Sequence, residues 1–156
     1  MIDIILLDTG PLGALAHPSE KGDIGRIKQW YASLRMARRV VRVPQISDYE
    51  LRRELIREGL GTSIALLNKL IGETGGLVPI DAKTMNKAAQ LWAKCRNDGT
   101  APCDDTALDG DVILCAQAWA LAGTRREVSI ATGNKKHIES MATCALWHEI
   151  EASKQA

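Results

Sequence analysis

Phenylalanine is absent from this chain, and aromatic residues of any kind make up 4% of it. A core built from such a sequence is aliphatic, with Trp30, Trp92, Trp119 and Trp147 as its large pieces. No apolar run reaches the roughly 20 residues that cross a bilayer, so no membrane association through helices is expected. Cys95, Cys103, Cys115 and Cys144 form no Cys-x-x-Cys pair and have no His at zinc-like spacing. A disulfide framework and a zinc ribbon are therefore set aside, and the thiols read as buried or idle ones in a reducing compartment. Met1 to Asp8 has neither a basic segment nor a cleavage site, so a secretory leader is not expected and the cytoplasm is the default location. No Walker-type glycine loop and no Ser-His-Asp grouping competes for the chemistry.

Charge of one sign is missing locally. From Asn97 to Thr124 there is no Lys or Arg, against Asp98, Asp104, Asp105, Asp109 and Asp111. From Lys21 to Leu60 the balance is the reverse, with 10 Lys/Arg and 5 Asp/Glu, a difference of 10 − 5 = +5. The whole chain nets only +1. A basic region beside a purely acidic one suits a protein that holds a cation next to a polyanion, although a solvated helix face explains many charge runs as well.

What remains is ordinary globular composition: 46% hydrophobic and 25% charged over 156 residues, enough for one self-supporting core. We expect a single domain over residues 1–150 and a short tail over 151–156. Ile2 to Leu7 is a continuous apolar run and reads as a buried parallel strand. A short helix is expected over Pro11–Ala16, a longer one over Asp23–Arg39, and a second strand over Val40–Pro44. Ser47 followed by Glu50 has the form of a capping box opening the next helix. Further helices are expected over Ser63–Glu73, from Asp81 to about Asn97, and from Asp109 or Gly110 to Ala122, with strands at Leu77–Ile80, Val128–Thr132 and Ala145–Ile150. Residues 98–102 read as loop. This alternation argues an α/β three-layer sandwich with a mostly parallel central sheet.

In such sheets ligands gather beyond the carboxyl ends of the strands. Asp8 ends the first strand, Glu50 follows the second within one helical turn, and Thr132-Gly133-Asn134 ends the fourth. Asp109 and Asp111 begin the helix before it. Packed carboxylates repel one another, so a cluster of this kind needs raised pKa values or a bound cation. Mg2+ or Mn2+ answers that need and would favour phosphodiester hydrolysis. Each residue also has a plainer reading: Asp8 as a turn former, Glu50 as the reciprocal member of the capping box, Asp109 as an N-cap, Asp111 as a helix-dipole partner, Asn134 as the cap of a short turn through His137. Glu54 lies one turn beyond Glu50 on the same face.

In order, Ile5-Leu6-Leu7-Asp8-Thr9-Gly10-Pro11-Leu12, Ile46-Ser47-Asp48-Tyr49-Glu50-Leu51, Leu108-Asp109-Gly110-Asp111-Val112-Ile113-Leu114-Cys115-Ala116-Gln117-Ala118 and Ile130-Ala131-Thr132-Gly133-Asn134-Lys135-Lys136-His137-Ile138 resemble the PIN-domain ribonucleases, including the VapC-type toxins of toxin–antitoxin pairs. The resemblance covers nearly the whole chain. It implies a PIN-like fold and metal-dependent cleavage of RNA, with Asp8, Glu50 and Asp111 on the metal and Thr9, Thr132 and Asn134 lining the site. It also implies an antitoxin partner and a homodimer. Many members carry an acid where this chain has Asn134, a departure for which Asp109 is the candidate compensation. Arg39, Arg52, Arg53 and Lys135 are candidate RNA contacts among the basic residues. No aromatic-rich strip interleaves them, so readout of single strands by stacking is not expected. Two other readings fit parts of this pattern: a PIN-like domain that only binds RNA or protein, and a receiver or phosphatase domain. The second usually wants another acid close to Asp8, and the next acidic residue here is Glu20.

Overall fold

The computed structural model describes residues 2–99, 105–123 and 125–153. Five parallel strands form one sheet in the order β3-β2-β1-β4-β5: β1 (Ile4–Leu7), β2 (Val40–Pro44), β3 (Leu77–Val78), β4 (Val128–Thr132) and β5 (Cys144–Leu146). The helices are α1 (Thr9–Leu15), α2 (Gly22–Met36), α3 (Gln45–Arg57), α4 (Gly61–Glu73), α5 (Ala82–Asp98) and α6 (Asp105–Ala122). Short 3-10 turns follow at Lys135–His137 and Trp147–Glu149.

The continuous apolar run of β1 buries both faces of the central strand. Ile5 and Leu7 pack with Leu12, Ile27, Leu34, Leu55 and Leu67 of α1 to α4, while Ile4 and Leu6 pack with Leu114, Cys115 and Ala118 of α6. These are the three layers anticipated, and the sheet is parallel throughout. Leu108, Val112 and Ala116 of α6 close against Ala88 and Cys95 of α5. Cys95 and Cys115 are buried, Cys144 is half-buried, and all three are free; Cys103 lies outside the described residues. Among the described residues no helix is long and apolar enough to cross a membrane. Ile150 is buried, and beyond it Ala152 still packs on the core.

Helices α1 and α4 each begin two residues before their expected starts, at Thr9 and Gly61, and two further starts that differ decide how Glu50 and Asp109 are read. Helix α3 begins at Gln45, directly after Pro44, so Ser47 lies inside it, fully buried, and not at its N-cap. The capping-box reading of Glu50 falls with that. Helix α6 begins at Asp105, one turn before the Asp-Gly pair that read as its start, because its apolar contact with α5 already begins at Leu108. Asp109 is thus interior and caps nothing. The loop expected over residues 98–102 is in part the last residue of α5, capped by Gly99 in the left-handed region at φ 66°, where glycine carries no Cβ penalty; its remaining positions lie outside the described residues.

Gln117 ties the layers at the rim that will matter. It is fully buried on α6, its Nε2 donates to Val78 O (2.7 Å) and Pro79 O (3.2 Å), and its Oε1 accepts from Ile46 N (3.4 Å). Gln117→Leu leaves those backbone groups unpaired in the core. It should cost about 1–3 kcal/mol in urea unfolding, against near-neutrality at an exposed α6 position such as Ala122. An unchanged midpoint would show that the side chain is not the tie.

Candidate active site

Asp8 follows the last residue of β1, and its extended backbone makes it the N-cap of α1. Its Oδ1 accepts from Thr9 N (2.7 Å) and its Oδ2 from Thr132 Oγ1 (2.7 Å). The capping reading of Asp8 is therefore realised through one oxygen, while the other ties the end of β1 to that of β4. Thr132, almost fully buried at the end of β4, also accepts from Asn134 N through the same hydroxyl (3.1 Å), which binds two strand ends into one network. Glu50 reaches the rim from the second turn of α3, where its Oε1 accepts from Thr9 Oγ1 (3.2 Å). One threonine thus holds both acids, through its amide and its hydroxyl.

The third acid arrives on α6. A Cβ added at Gly110 would stand 2.8 Å from Glu50 Oε2 and 3.1 Å from Glu50 Cδ, so the glycine is where α6 lets the Glu50 carboxylate lie against its backbone. Asp111 is the next residue. Burial, then the charges of Asp8 and Glu50, push its carboxyl up to about 7. Burial also pushes Glu50 up, the Thr9 hydroxyl pulls it back, Asp8 pushes it further and Arg53 opposes. These mutual effects place Asp8, Glu50 and Asp111 in one electrostatic group, drawn from β1, α3 and α6. As they stand, among the described residues, no three Asp, Glu, His or Cys side chains are close enough to hold a metal ion between them. Hydroxyl and amide donors hold Asp8 and Glu50, consistent with like charges kept from closing on one point.

The other expected residues divide. Asp109 is exposed and lines a cleft with Met85, Ala88, Trp92 and Val112 of α5 and α6, a different surface from the acidic group. Asn134 is exposed, and its Oδ1 accepts from Lys136 N (3.1 Å), capping the turn. Arg52 is held by Asp48 (2.8 Å) and by Asn68 Oδ1 (2.9 Å), joining α3 to α4. Arg39 donates to Glu151 O (2.7 Å) and Ile2 O (2.9 Å) beside the amino ends of the strands, the rim opposite Asp8. Arg53 lies 5.1 Å over the exposed Tyr49 ring and close enough to Glu50 to act on its charge. Lys135, beside Asn134, has Nζ 3.5 Å from Glu149 Oε2. Of the four basic candidates, Arg53 and Lys135 stand at the rim with the acids. Gly110 was not singled out in the sequence, although a glycine within a helical pattern is a known sign of close approach.

The charge group has a measurable consequence. Asp111 titrates near 7 in the folded chain against 3.8 ordinarily, so the folded state binds the extra proton between those values. The stability it lends is whole below the ordinary value and is lost as pH rises through about 7. Without divalent cations, the difference in unfolding free energy between the parent and Asp111→Asn should move by roughly 1–2 kcal/mol in favour of the variant from about pH 4 to about pH 8, after allowance for solvent screening. Urea titrations in EDTA across that window measure it. A constant difference would mean that Asp111 is not under this pressure.

Neither a protein-family model nor a curated protein matches the chain. A solved structure does: a chain in the crystal structure of FitAcB from Neisseria gonorrhoeae superposes with a TM-score of 0.66, over 94% of this chain and 99% of that one, at 18% sequence identity. At that identity the likeness is one of fold. The PIN-like α/β sandwich expected from the four sequence motifs is the fold that this chain adopts.

Proposed function

We propose that the chain is an endoribonuclease dependent on Mg2+ or Mn2+, with Asp8, Glu50 and Asp111 as the metal-holding acids. The observation that carries this reading is that Asp8, Glu50 and Asp111, on three different elements, act on one another's charge at the carboxyl rim of the sheet without closing on one point, with α6 reduced to a glycine where Glu50 lies against it. The donors are hard oxygens, and groups that keep Asp111 protonated up to about pH 7 gain from a shared cation. A divalent ion bound there would lower the pKa of a water and steady charge on the phosphate oxygens.

The chain's own residues supply position. Thr9 N and Thr132 Oγ1 hold both oxygens of Asp8, and Thr9 Oγ1 orients Glu50. Arg53 and Lys135 flank the acids as cations for the phosphates on either side of the cut. Asn134 lines the rim by its backbone while its side chain caps the turn. Asp109, facing the α5–α6 cleft, stands outside the ligand set. That the chain is a cytoplasmic toxin with an antitoxin partner, and that it forms a homodimer, are proposals resting on the sequence resemblance.

Purified protein with Mg2+ or Mn2+ should cleave structured RNA and stop in EDTA. Asp8→Asn and Asp111→Asn should each lose on the order of 100-fold or more in rate with the fold intact, whereas Asp109→Asn should cut like the parent. EDTA-resistant cleavage, or full activity in both site variants, would end the metal mechanism.

Gly110→Ala tests the close approach alone. Alanine should leave the helix as stable or firmer by about 0.5–1 kcal/mol. The new methyl displaces the Glu50 carboxylate, so cleavage should fall about 10- to 100-fold. A thermal melt beside a cleavage assay separates the two effects, and a variant as active as the parent would show that Glu50 need not lie there.

A further inference from the structure

A cleft of about 650 Å³ opens beside the acidic rim, between α1, α2 and the segment after β5. That volume lies within the range of pockets that enclose small organic ligands. Its lining includes Pro11, Ile24, Ile27, Trp147 and His148, and also Gly10 and Gly133. Gly10 follows Thr9, and Gly133 stands between Thr132 and Asn134, so the cleft is lined by the chain neighbours of the residues that hold Asp8 and Glu50. A Cβ at either glycine would meet nothing within 4 Å, so neither position is crowded on the side where the cleft borders the rim.

We propose that this cleft is a base-binding subsite, holding the nucleobase of the ribonucleotide next to the cleaved phosphate. The proposal rests on the nuclease reading above and adds the part of the substrate that the carboxylates do not touch. An apolar floor suits a planar base and repels a phosphate. Trp147 makes edge-on contacts with Trp30 (centroids 5.7 Å, 61°) and with His148 (5.4 Å, 88°), so the aromatic wall is fixed before any ligand arrives. Asp23 and Arg26 pair with each other at the border and leave no net charge there. A base can enter only if unstacked and unpaired, so the site selects single-stranded RNA or loops over duplex.

The aromatic wall also answers the lack of an aromatic strip among the basic residues. Stacking surface is supplied by Trp147 and His148, more than 80 residues from the basic stretch that ends at Leu60.

The test uses the full chain carrying Asp8→Asn, so that binding is read without cleavage. Uridine and adenosine 5′-monophosphates are titrated against ribose 5-phosphate, following the Trp147 indole and His148 imidazole signals by NMR. The mononucleotides should bind about tenfold more tightly than the base-free sugar and shift those two rings, since stacking of one base is worth about that factor or more. Ile24→Trp, which fills the cleft from α2, should erase the gap, and His148→Ala at its exposed position should narrow it even if the bulkier variant fails to fold. Equal affinities, or shifts confined to other surfaces, overturn the proposal. So does a cleft whose signals answer only to a polypeptide partner.

A second arm separates this outcome from failure of the nuclease reading. In the parent protein, removing the base next to the cut from an oligoribonucleotide should lower kcat/KM about tenfold. Robust cleavage that ignores the missing base sinks the subsite and leaves the hydrolysis. Base-dependent binding by a protein that cuts nothing sinks the hydrolysis and leaves the subsite.

Discussion

Asp8, Glu50 and Asp111 repel one another, and the elements that carry them are nevertheless fixed at one rim. Each acid rides on a different part of the chain, so the repulsion acts to spread β1, α3 and α6. The ties that oppose it are all close by. Thr9 joins α1 to α3 through Glu50, Thr132 joins β4 to β1 through Asp8, and Gln117 fastens α6 to the start of α3 and the end of β3. Arg52, bound to Asp48 and Asn68, backs α3 with α4. Hydrophobic burial builds the layers, but these polar ties decide where the layers stop at the rim.

Much of this was legible in the residues. The two-faced apolar run of β1 announced a central strand, and the strands at Val40–Pro44 and Val128–Thr132 were bounded by clear stops. Asp8 was visible because an acid directly after such a strand sits at a carboxyl end by construction. Glu50 and Asp111 were visible as types in a motif, but their roles were not, since a capping box or a dipole partner fits the same letters. The helix starts misled for a physical reason: Ser47 and Asp109 are good cap residues, and tertiary packing of Ile46 and Leu108 overrode that local preference by extending each helix backwards.

Long-range geometry was illegible. Nothing near Gly110 in the sequence says that Glu50, sixty positions away, lies against it, and nothing near Trp147 says that it stands on Trp30. Arg39 shows the converse limit. Its neighbours made it look like part of a basic track, yet strand direction carries it to the far rim, where it binds backbone carbonyls. Side-chain type locates chemistry; strand direction and register decide whether that chemistry meets anything.

The sheet order carries one more consequence, and it concerns synthesis. The central strand β1 is made before the other four strands, and one of its two neighbours, β4, only after β2 and β3. The hydrogen bond from Thr132 to Asp8 spans 124 positions. The β1–β2 half forms early from nearby contacts, but the edge of β1 that receives β4 stays bare until more than 120 further residues have been translated. Pairing across such a separation is slow, and it comes after most local structure. The rim can therefore be completed only once β4 has been made, so a nascent chain carries Asp8, Glu50 and Asp111 before it carries the strand that closes the rim around them.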